Sequence, residues 1–113
     1  MPANAGDGGH GSRGKSSQRL RVPSGEPFEV ALDEPAATGH RWQLADAGEG
    51  IALLDDRYEP PSRKLGLGAS GRRVINLRAT GTGHYVLRFQ LARPWEDRPS
   101  AEHLVEVDAV KPP

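Results

Sequence analysis

The 113-residue chain has no cysteine. That excludes disulfides, a thiol nucleophile and thiolate metal ligands, so the fold is held by packing and hydrogen bonding alone. Aromatic residues are scarce, at 5%, with only two tryptophans. Neither sign of charge is in excess: 15 Lys and Arg balance 15 Asp and Glu. No long-range field therefore draws the protein to nucleic acid or to an anionic membrane, and the arginines have no row of aromatics beside them to stack bases. No apolar run approaches the roughly 20 residues of a membrane span, and the N-terminus lacks the apolar core of a secretory signal. As it stands the chain reads as cytoplasmic, or as secreted or periplasmic if a leader has been removed.

Catalytic machinery is equally thin. His10, His40, His84 and His103 are dispersed, and no HExxH, CxxC or GxSxG spacing occurs. His84 and His103 fall at strand starts on mixed or exposed faces and read as solvated or locally bonded. The stretch "GLGASG" lacks both the lysine of a P-loop and a following helix. Asp55 with Asp56, and Glu96 with Asp97, are sequence neighbours whose side chains diverge in an extended chain, so they read as solvated strand ends. No catalytic residue, metal site or cofactor is expected.

Glycine (14) and proline (10) are plentiful, which favours short strands joined by many turns. Residues 1–18 carry no large aliphatic residue after Met1 and read as a disordered tail, with the domain spanning 19–113. From Arg19 onward, runs of period two alternate with Gly and Pro clusters. Phe28, Val30 and Leu32 share a face, as do Trp42 with Leu44, Ile75 with Leu77 and Ala79, Tyr85 with Leu87, Phe89 and Leu91, and Val105 with Val107. About seven strands without helices predict an all-β, immunoglobulin-like β-sandwich. Trp42 on the third strand suits the buried tryptophan of such folds, and Tyr85 at the start of the sixth suits a tyrosine corner.

Three connections stand out: "DEPAATG" between strands two and three, "KLGLGASG" between four and five, and "LARPWED" between six and seven. Strands of a sandwich reverse direction at each turn, so these alternate connections emerge at one end and form one surface. With Trp42 assigned to the core, Trp95 falls outside the alternation and reads as partner-facing.

The three connections together resemble the chagasin family of cysteine-peptidase inhibitors (inhibitor family I42), whose loops carry an NPTTG-like, a GxGG and an RPW motif in this order. Pro35-Ala36-Ala37-Thr38-Gly39 aligns with the first, matching in its Thr-Gly half, and His40 stands where the family commonly has Tyr. Gly68-Ala69-Ser70-Gly71 aligns with the second, with Ser for one glycine, and Arg93-Pro94-Trp95 matches the third in full. The resemblance implies a free monomer that inserts three loops into the cleft of a papain-like (clan CA) cysteine peptidase as a tight, reversible, competitive inhibitor. The implied peptidase-binding residues are Ala37, Thr38, Gly39, His40, Gly68, Ala69, Ser70, Gly71, Arg93, Pro94 and Trp95. Arg93 either touches the peptidase or braces its own loop through Glu96. The competing reading is a non-inhibitory module that binds another protein or a glycan with the same loops.

Overall fold

Period-two burial and the turn residues between runs give seven strands in the computed structural model, which describes residues 14–35, 38–61 and 70–113. They are β1 (Gly14–Pro23), β2 (Pro27–Glu34), β3 (Arg41–Asp46), β4 (Ile51–Glu59), β5 (Gly71–Ala79), β6 (Gly83–Ala92) and β7 (Ala101–Val110). Among the described residues there is no helix. The strands form two sheets, β1-β7-β6-β3 and β2-β5-β4. Their inner faces meet as a sandwich of the immunoglobulin type.

The core follows the sequence parity. Val30, Ile75, Leu77, Leu87, Phe89, Val105 and Val107 are all fully buried between the sheets, each contributing about 1.5–3 kcal/mol by leaving water. Trp42 joins this cluster, and its indole N–H donates to the Asp33 carbonyl at 2.7 Å. Tyr85 forms the expected corner, its hydroxyl donating to the Gly81 carbonyl at 2.8 Å.

Two expectations need correction. The domain starts before residue 19: Gly14 to Gln18 belong to β1, which runs parallel to β7 with Gly14 opposite Ala101. Polar residues suffice there because the strand completes a sheet edge, where ladder hydrogen bonds carry the pairing and one face is wet. Residues 1–13 of the expected tail lie outside the described residues.

His103 is not on an exposed face either. It shares the inward parity of Val105 and Val107 and is buried, held between Ser16 and Gln18 of β1. With the Gln18 amide oxygen accepting from Nε2 at 2.7 Å, the ring is neutral and Nδ1 accepts from the Ser16 hydroxyl. Burial lowers its pKa below the ordinary 6.5. Above that value both folded and unfolded chains hold a neutral ring. As pH falls from 6.5 toward the lowered folded value, the unfolded chain takes up a proton that the folded one refuses, and stability is lost. The slope from this group is at most about 1.4 kcal/mol per pH unit. Thermal melts at neutral pH and at pH near 5 are expected to show a larger loss for the wild type than for His103→Gln; equal losses would remove His103 from the account.

Candidate functional site

Strand registers bring the three connections together. Glu34 at the end of β2 lies opposite Gly71 at the start of β5, and Glu59 at the end of β4 lies opposite Arg72. In the other sheet Arg41 lies opposite Ala92, and Leu91 opposite Ala101. The 35–40, 60–70 and 93–100 connections therefore leave one end of the sandwich. The first crosses between sheets, the second stays in the three-stranded sheet and the third in the four-stranded one. The 35–40 loop thus bridges the sheet that carries the second connection and the sheet that carries the third, and in that layer order it is the middle one.

The 93–100 loop is braced from within. Glu96 N–H donates to the Arg93 carbonyl at 3.0 Å and Ser100 N–H to the Leu91 carbonyl at 2.7 Å. The Glu96 carboxylate accepts from Arg93 twice, from its backbone N–H at 3.2 Å and from Nη2 at 2.9 Å. These bonds hold the Glu96 carboxyl below the ordinary glutamate range and raise Arg93 further. The guanidinium also lies 5.5 Å from the Trp95 ring centroid, a cation–π distance. Of the two roles open to Arg93, the free protein shows the brace. Pro94 fixes φ between these anchors, and Trp95 stands 71% exposed on top of them. No other large hydrophobic side chain is as exposed among the described residues.

The middle loop touches the Trp95 loop. Gly39 has φ +82°, and a Cβ there would lie 3.5 Å from Trp95 Cη2 and 3.8 Å from the Arg93 stem. A side chain at this position is strained by its backbone, while its Cβ would only touch the indole at ordinary contact distance. His40 ties the same loops. Its Nδ1 is 2.7 Å from Thr38 Oγ1, its Nε2 is 3.0 Å from Ser100 Oγ, and Glu96 Oε1 lies 3.7 Å away. With both ring nitrogens engaged, His40 works as a clasp between loops, while Thr38, Gly39, Pro94 and Trp95 present the surface. Ser70 is exposed too, but Gly71 is buried against Tyr58 and Glu59 and serves the packing beneath the loop. Ala37, Gly68 and Ala69 lie outside the described residues.

A groove of about 490 Å³ runs below the Trp95 loop, between Arg41, Gln43, Gln90 and Arg98. It is polar and open, unlike the enclosed apolar pocket that holds a small ligand. Among the described residues no three His, Asp or Glu side chains converge on a point that could hold a metal. The arrangement is built to project loops into a partner.

Sequence reasoning missed the charged base of this end. Glu34 and Arg73 are buried and paired, with Nη2 donating to Oε2 at 2.8 Å and Nε to Oε1 at 3.1 Å. Arg73 Nη1 also donates to Asp56 at 3.0 Å, so Asp56, though exposed as expected, is an ion-pair partner within β4 and not at a strand end. The signal was available: Glu34 continues the inward parity of Phe28, Val30 and Leu32, and Arg73 that of Ile75, Leu77 and Ala79. Opposite charges on two inward faces need each other.

An immunoglobulin-like sandwich that gathers three loops and an exposed tryptophan at one end is a protein-recognition module. The model of the chagasin family peptidase inhibitor I42 matches residues 21–108, and the chain belongs to that family of peptidase inhibitors. Solved structures are similar to it in fold. The cysteine protease inhibitor EhICP2 from Entamoeba histolytica is 18% identical with a TM-score of 0.71, covering 91% of this chain and 100% of its own. PbICP-C, solved in complex with falcipain-2, is 14% identical with a TM-score of 0.70, covering 89% and 93%. Amebosin, solved in solution, is 20% identical with a TM-score of 0.66, covering 86% and 98%. None of the curated proteins matches the sequence.

Proposed function

We propose that the protein is a reversible, competitive inhibitor of papain-like cysteine peptidases, entering the active-site cleft with the 35–40 loop between the 60–70 and 93–100 loops. The observation that carries this reading is the packing of left-handed Gly39 against the exposed Trp95. It joins the middle loop and its flanking anchor into one protrusion. Thr38 and Gly39 form the tip that approaches the catalytic cysteine and histidine, and Trp95 lies on the cleft wall. A peptide is cleaved when it lies extended across the catalytic residues; the φ of +82° at Gly39 turns the backbone out of that path. Blockage without cleavage is the result. The solved complex of PbICP-C with falcipain-2 supports a peptidase partner for the fold.

Titration against papain and a cathepsin tests the proposal. Inhibition that is overcome by substrate and reverses on dilution is expected. A chain that gives a folded tryptophan emission spectrum but no inhibition at tens of micromolar overturns it in favour of the non-inhibitory module.

A further inference from the structure

We infer that the buried Glu34–Arg73 pair positions the inhibitory loops, setting the spacing between them as well as holding the fold; this deepens the proposal above and rests on it. Glu34 closes β2 where the middle loop begins, and Arg73 lies two residues past Gly71, where the 60–70 connection ends. The strands on either side of the middle loop, β2 and β3, belong to different sheets and share no ladder. Across that gap, Glu34 Oε1 accepts the Trp42 backbone N–H at 2.7 Å. One carboxylate thus ties the exit of β2 to the entry of β3, and its fork with Arg73 ties both to β5. Arg73 in turn reaches Asp56 at 3.0 Å and lies 5.4 Å from the centre of the Tyr58 ring, both on β4. From the middle loop the linkage continues through His40 to Ser100 in the third loop. The strands from which all three loops spring are thus tied to a single polar frame.

Stability alone does not account for charges here. A buried ion pair is often replaceable by apolar residues of similar volume with no loss of stability. Apolar side chains, however, cannot accept the Trp42 N–H or fix direction as a bidentate fork does. What the pair adds is geometry at the base of loops that must arrive pre-spaced, because any ordering left until binding is subtracted from affinity. The hydrogen bond from Arg73 to Glu34 is also the leading cause of the raised Arg73 pKa, so the guanidinium end of the fork keeps its charge.

The test compares Arg73→Lys with the apolar double variant Glu34→Leu/Arg73→Met, using Val107→Ala as a core control remote from the loops. Papain inhibition, thermal melting and amide hydrogen exchange of the free proteins are measured. Arg73→Lys and the double variant are expected to raise the inhibition constant by about tenfold or more. Exchange at residues 38–42 speeds up by a similar factor, while Leu87 and Phe89 in the double variant exchange as in wild type. Val107→Ala melts earlier yet inhibits within threefold of wild type. A double variant that melts, exchanges at 38–42 and inhibits like wild type overturns the inference. Exchange is read without peptidase: if the wild type inhibits nothing, only the inhibitory reading falls, and loop exchange still decides whether the pair orders this end.

Discussion

Trp95→Ala raises the inhibition constant for papain by roughly 30-fold to nearly 1000-fold, the span that corresponds to losing about 2–4 kcal/mol from a central aromatic anchor. The indole is 71% exposed, so its removal forfeits little core packing, and the melting temperature moves by no more than about 2 °C. The loop beneath keeps its shape because its bonds do not pass through the indole: Glu96 still accepts from the Arg93 backbone and guanidinium. What disappears is a rigid face with few torsions to freeze, held by Pro94 before it and by the Arg93 guanidinium 5.5 Å from its ring centre. The loss falls mainly on the dissociation rate, since no charge that steers encounter has changed. A rise below threefold, with folding unaltered, removes Trp95 as an anchor.

The strands were legible because their signal is local. In residues 84–92 the large apolar Tyr85, Leu87, Phe89 and Leu91 recur at every second position, and Leu87 and Phe89 are fully buried as that alternation requires. The Tyr85 corner was readable for the same reason: its partner, Gly81, is four residues away. Trp95 was readable by subtraction, since Trp42 already filled the core position. The first half of β1 was hidden because its pairing is with β7 at the far end of the chain, and "GKSSQ" carries no apolar period to announce it. Its anchor, His103 between Ser16 and Gln18, joins residues more than 80 positions apart. The His40 clasp depends likewise on Ser100, 60 residues on, which no local pattern relates to it.

Gly71 shows how a motif residue can matter without meeting the partner. Its alignment with a glycine motif places it among the binding residues, yet it is buried. A Cβ built on it overlaps the Tyr58 hydroxyl and lies 2.5 Å from both Tyr58 Cζ and the Glu59 carbonyl oxygen. The backbone of β4 passes so close to the start of β5 that only glycine fits.

Gly71→Ala is therefore expected to push β4 and β5 apart at the loop end, at a cost of about 1–3 kcal/mol for the overpacked site. For a domain of this size each kcal/mol lowers the melting temperature by roughly 4–8 °C, a loss plain in a thermal melt. Because Gly71 lies opposite Glu34 and two residues from Arg73, the displacement reaches the charged frame, and the papain inhibition constant rises by about tenfold as well. Adding Tyr58→Phe removes the hydroxyl and leaves both the ring Cζ and the Glu59 carbonyl in place, so it restores part of the stability and not all of it. Full recovery would show that the tyrosine hydroxyl alone demands glycine here; a Gly71→Ala protein that melts within about 2 °C of wild type and inhibits within threefold would show that β4 yields freely.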